Sequence, residues 1–102
     1  MPRYIALLSR SDGGEWGVSF PDFPGCISSG DSFDGALRMG SEALHFHAVG
    51  MLEDGDPIPA PRDEAQLRAD PEFAEDFDGA EVVLIELLPF KPKVARRVAG
   101  AR

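Results

Sequence analysis

The stretch from Trp16 to Leu37, WGVSFPDFPGCISSGDSFDGAL, decides the fold. Trp16, Val18 and Phe20 alternate as one face of a strand, and the Pro-Asp-Phe-Pro-Gly corner that follows ends it. Cys26 to Ser29 reads as the next short strand, and Gly30-Asp31-Ser32 leads into a helix that either Asp31 or Ser32 can cap. Pro21 and Pro24 hold φ near about −65° and lack a donor N–H, while Gly25 accepts positive φ, so the corner between the strands is stiff. Such a corner can present Phe23 beside Asp22 to a partner, or fold the ring back onto the core. Both readings stand on the sequence.

On the N-terminal side, Tyr4 to Leu8 is predicted as a strand apolar on both faces, joined through a hairpin containing Asp12-Gly13-Gly14 to Trp16–Phe20. With Cys26–Ser29 this makes a three-stranded antiparallel meander. The helix runs from Phe33 to about Asp54, because Phe33, Ala36, Leu37, Gly40, Leu44, His47, Ala48 and Met51 recur at steps of three and four. Gly55 ends it, and Pro57–Pro61 continues as extended chain anchored by Ile58. Asp63-Glu-Ala-Gln66 has the form of a capping box opening a second short helix through about Ala69. Glu81 to Leu88, again apolar on both faces, is predicted to lie beside the first strand inside the sheet. The expected fold is a single α+β domain of order β-β-β-α-(α)-β, with the helix packed on one face of the sheet.

A chain of 102 residues supports one domain of this size, expected over residues 1–88, with 89–102 as a basic tail or linker. No apolar run is long enough to span a bilayer and no secretory leader is evident, so a cytoplasmic location and no membrane partner are expected. Charge is strongly polarised. All eighteen acidic residues face only five arginines within residues 1–88, a net −13, whereas Lys91, Lys93, Arg96, Arg97 and Arg102 make the tail +5. An acidic body repels nucleic acid and attracts a basic partner, while the tail can reach for phosphates.

Signals for catalysis are weak. His45 and His47, two apart on a helix, project about 200° from one another and cannot grip one metal ion. His47 falls on the apolar stripe and His45 is expected to be exposed. Cys26 is a lone thiol with no activating neighbour in sequence, read as a packed residue. The acids Asp22, Asp31, Asp34 and Glu42 could in principle hold magnesium for phosphodiester cleavage, but none lies within a central strand. Neither catalytic residues, nor a metal site, nor a cofactor is therefore assigned.

The phrase Ser19-Phe-Pro-Asp-Phe-Pro-Gly-Cys26, followed by Ser29-Gly-Asp-Ser32, Ala36, Glu42-Ala-Leu44, Gly55 and Ile58-Pro-Ala-Pro61, resembles the HicB antitoxins of bacterial toxin–antitoxin systems over about residues 4–88. The resemblance implies a partial RNase H-like domain without nuclease chemistry. It also implies a partner, a small basic mRNA-cleaving HicA-like toxin whose active surface the domain covers. On that reading Asp22 and Phe23, with Asp31 and Asp34, are the expected toxin contacts. Gly35 stands where the family commonly has a helix-opening acid. Family members usually continue into an operator-binding ribbon-helix-helix or helix-turn-helix segment. Lys91, Lys93, Arg96 and Arg97 are the residues here that a linker to such a segment, or direct DNA contact, would use. Two alternatives accompany the antitoxin reading: a DNA-binding regulator of its own operon, and a divalent-metal-dependent nuclease. A homodimer or higher homo-oligomer is expected, since a small sheet leaves edges to cover.

Overall fold

The computed structural model describes residues 2–87. Leu88 and the tail, including Lys91, Lys93, Arg96 and Arg97, lie outside the described residues. The elements follow one another as β1 (Arg3–Arg10), β2 (Trp16–Ser19), β3 (Ile27–Gly30), α1 (Phe33–Glu53), α2 (Glu64–Ala69), a 3₁₀ turn (Ala74–Phe77) and β4 (Glu81–Glu86). The strands form one antiparallel sheet in the order β3-β2-β1-β4. This is the expected α+β arrangement, with the meander and the last strand beside the first.

Position within the sheet departs from expectation for β4. It pairs with β1 from Arg3↔Glu86 to Leu8↔Glu81, yet among the described residues it is an edge strand and not an interior one. Its two apolar faces reflect layers above and below the sheet. Ile85 and Leu87 join the core beneath α1, Val82 packs towards α2 and the 3₁₀ turn, and Leu84 is left 58% exposed. The strand alternation is thus satisfied by packing perpendicular to the sheet and needs no second ladder neighbour.

β1 is buried on both sides for the same reason. Tyr4, Ala6 and Leu8 meet Val18, Ile85 and the Ala36-Leu44-Ala48 stripe of α1. On the opposite face Ile5 and Leu7 meet Leu67 of α2 and Phe77. Each such aliphatic or aromatic side chain contributes about 1.5–3 kcal/mol when fully buried. The short α2 is therefore held mainly by Leu67, helped by its capping box, in which Asp63 accepts from the Gln66 N–H at 2.8 Å and Gln66 accepts from the Asp63 N–H at 2.8 Å.

Ser32 is the residue that caps α1, accepting the Gly35 N–H at 3.0 Å, which leaves Asp31 free of that duty. At the other end the Asp56 N–H reaches Met51 O at 2.8 Å across Gly55, whose φ is 81°. His45 is partly buried and not exposed as expected, and His47 sets its ring edge-on to Phe23 at 5.9 Å.

The close approach of α1 to β3 depends on Gly30, where an added Cβ would lie 2.5 Å from Ala36 N. Gly50, by contrast, sits within α1 with open space around it. Gly30→Ala is expected to cost about 2–3 kcal/mol through overpacking. Gly50→Ala should stabilise by about 0.5–1 kcal/mol through helix propensity. Urea unfolding of the two variants checks both signs at once.

Candidate functional site

The corner between β2 and β3 is two turns in succession. The Phe23 N–H closes on Phe20 O at 2.9 Å with Pro21 inside the turn, and the Cys26 N–H closes on Phe23 O at 2.9 Å around Pro24 and Gly25. Gly25 has φ 89°, the left-handed value that the third residue of a Pro-Gly turn requires. Because the Cys26 N–H is used in this turn, β3 begins one residue later than the pattern suggests, at Ile27.

These turns send Phe23 inward, the second of the two readings that the sequence allows, and away from the toxin contact that the resemblance implied. Phe23 is 1% exposed and packs edge-on against Tyr4 with centroids 4.7 Å apart, and His47 closes on its other side. Asp22 is also buried, its carboxylate held by Arg62: Nε donates at 2.7 Å to one oxygen and the backbone N–H at 3.0 Å to the other. The guanidinium continues to Asp70 at 3.2 Å and lies over the Phe73 ring at 5.3 Å. Beside this network the Tyr4 hydroxyl donates to Pro59 O at 2.6 Å, and burial first, then the Asp22 charge, raises its pKa. Asp22 thus ties the corner to the 58–73 segment and Phe23 ties it to β1 and α1, and neither offers open surface to a partner. Sequence reasoning misses the role of Arg62, although an isolated cation amid acids is the available signal.

Asp31 and Asp34 are exposed, together at the start of α1 and at the end of β3. Near them a hollow of about 380 Å³ is lined by Glu15, Ser29, Gly30, Asp31, Arg38 and Met39 among others. At the opposite end of β3 a notch of about 160 Å³ lies between the corner and the 3₁₀ turn, with Phe20, Pro24, Ile27, Phe73 and Asp76 in its wall. Ile27 is 72% exposed at its mouth. Along α1, Met39 and Phe46 project seven residues apart on one exposed line, Phe46 at 81%. Sequence reasoning misses that line too; an aromatic residue lying off the apolar stripe is its signal.

Burial pushes the Cys26 thiol up to about 11, so it is protonated at neutral pH and a poor nucleophile. Among the described residues no three His, Cys, Asp or Glu side chains are placed to hold a metal ion, and no helix is long and apolar enough to cross a membrane.

Arg62→Ala leaves a buried carboxylate with its backbone donor alone and should cost about 2–3 kcal/mol. Removing the partly exposed Asp70 carboxylate should cost under about 1 kcal/mol; urea melts of the two variants separate the cases. For Cys26 the folded pKa lies above the unfolded one. Below pH 9 both forms are protonated and the group contributes nothing; from pH 9 to 11 only the unfolded thiol loses its proton, so stability falls as pH rises. The drop is about 2 kcal/mol, and Cys26→Ala should flatten that part of the stability–pH curve relative to wild type.

Comparison with known proteins agrees with the geometry. The model of the HicB_like antitoxin of bacterial toxin–antitoxin systems matches residues 4–98. Antitoxin HicB 1 of Photorhabdus laumondii subsp. laumondii is 37% identical over 59 residues, which is 58% of this chain and 38% of that protein. A further curated relative is spanned to 53% of its length, so the chain covers about half or less of these relatives. Among solved structures, the N-terminal domain of the Burkholderia pseudomallei antitoxin HicB superposes with a TM-score of 0.70 at 28% identity, covering 85% of this chain and 99% of that one. A chain of the HicA3 and HicB3 toxin–antitoxin complex does so with a TM-score of 0.66 at 26% identity, over 85% and 99%. With the family model matched across nearly the whole chain, on the sheet and helix order described above, the protein belongs to the HicB-like antitoxins of bacterial toxin–antitoxin systems.

Proposed function

We propose that this chain neutralises a small basic mRNA-cleaving toxin of the HicA type by covering its active surface, without breaking bonds itself. The observation that carries the reading is membership of an antitoxin family across residues 4–98. The charge distribution supports it. An RNA-cleaving protein must present a basic face, and a body with eighteen acids against five arginines competes for that face by long-range attraction and by contact. Of the four residues expected at the toxin contact, Asp31 and Asp34 stand open to solvent, and they are assigned to it. Asp22 and Phe23 serve it indirectly, by shaping the corner that starts β3. Pairing of two copies is included in this reading, through a surface that the toxin leaves free.

A second reading, DNA binding through Lys91, Lys93, Arg96 and Arg97, is favoured by one observation: the family model extends to residue 98 and so includes these cations. Full-length chain should then bind operator duplex less tightly when residues 89–102 are removed, and with a shallower salt dependence, because fewer phosphates are neutralised.

For the toxin contact, Asp31→Lys with Asp34→Lys should weaken binding of a purified HicA-type toxin about tenfold or more at physiological salt. The same pair should abolish growth rescue in cells expressing the toxin. Calorimetric titration of purified toxin measures the first effect. An unchanged dissociation constant removes these two acids from the interface, and no binding by the wild-type chain removes the reading itself.

A further inference from the structure

We propose that the toxin docks by adding a β-strand to the free edge of β3, seating a side chain in the hollow at each end of that strand; this rests on the antitoxin reading and names its contact surface. The sheet has two edges, and they differ in protection. β4 carries exposed Glu81 and Glu86 at its two ends, charges that discourage pairing. β3 is Ile27-Ser-Ser-Gly30, in unbroken register with β2 from Ser19↔Ile27 to Trp16↔Gly30, and contains no charge, proline or bulge. Among the described residues β3 has β2 on one side only, so alternate backbone N–H and C=O groups of β3 face outward as a ladder.

The surroundings fit an incoming strand. Four residues span about 13 Å, so a strand of matching length laid along β3 reaches the 160 Å³ notch beside Ile27 at one end and the 380 Å³ hollow beside Gly30 at the other. Exposed Ile27 and Met39 supply apolar contact at the two ends. Main-chain bonds provide affinity in such additions, and pockets taking alternate side chains provide selectivity.

Charge identifies the occupant. Asp76 lines the notch; Glu15 and Asp31 line the hollow, with Arg38 the cation among its lining residues and Asp34 exposed nearby. A second copy would bring another body of net −13 against these acids. A strand flanked by Lys or Arg meets them favourably, as a basic RNA-cleaving protein would.

The test titrates the HicA-type toxin into three full-length chains at physiological salt: wild type, Ile27→Lys with Ser29→Lys, and Leu84→Lys on the opposite edge. All three sites are exposed, and urea melts verify that folding is unchanged. The β3 double variant should bind at least tenfold more weakly, while Leu84→Lys should stay within twofold of wild type. Hydrogen exchange on the wild-type complex should show new protection of amides within residues 27–30, a readout that side-chain contact alone would not produce. Equal affinities for the three chains, selective weakening by Leu84→Lys, or binding without protection at β3 overturns the edge assignment and leaves the antitoxin reading intact. Failure of the wild-type chain to bind overturns both.

Discussion

Arg62 reaching the buried carboxylate of Asp22 is the constraint on which the rest of the molecule's shape depends. The two residues are forty apart in sequence, and their bond joins the β2–β3 corner to the extended segment that follows α1. A carboxylate withdrawn from water requires compensation, supplied here by two donors from one residue, the guanidinium and the backbone N–H. With that anchor in place the Pro-Gly turns orient Phe23 under Tyr4 and His47, and the extended segment lies close enough for the Tyr4 hydroxyl to find Pro59 O. Aromatic packing and ion pairing support one another, since each positions the backbone that the other requires.

From this corner the layered build follows. α1 covers one face of the sheet and the small α2–3₁₀ unit part of the other, so a thin four-stranded sheet obtains two cores. The second unit covers chiefly the β1–β4 half. The β2–β3 half of that face keeps partly exposed Gly17 and Ser19 together with the exposed Ile27 and Ser29. Strand order puts β3 at the edge, and the stiff corner holds its first residue in place.

On the proposed function, a surface and not a reactive group carries the activity. The acids that line the ends of β3 are free of structural duty, whereas Asp22 and Asp63 are committed to an ion pair and a cap. The proposed function uses this division of labour: some carboxylates hold the fold, and the remainder are left to supply field and contact.

Local patterning was enough to determine the strand and helix order, a helix cap at Asp31 or Ser32, the Asp63–Gln66 box and the place of β4 beside β1, while the structure chose Ser32. Each of these depends on residues within a few positions of one another or on an apolar period, and both are legible in a single chain. The resemblance carried by the opening motif likewise pointed to an antitoxin, and the charge polarity to a basic partner. Tertiary structure alone decided that Phe23 and Asp22 face inward, that β4 is an edge, that His45 is partly covered, and that Met39 and Phe46 stand open on α1. The reason is that exposure is set by what arrives from elsewhere in the chain. Arg62, forty residues on, turns a surface acid into a buried one, and the coverage of a β-strand depends on layers that its own alternation cannot count.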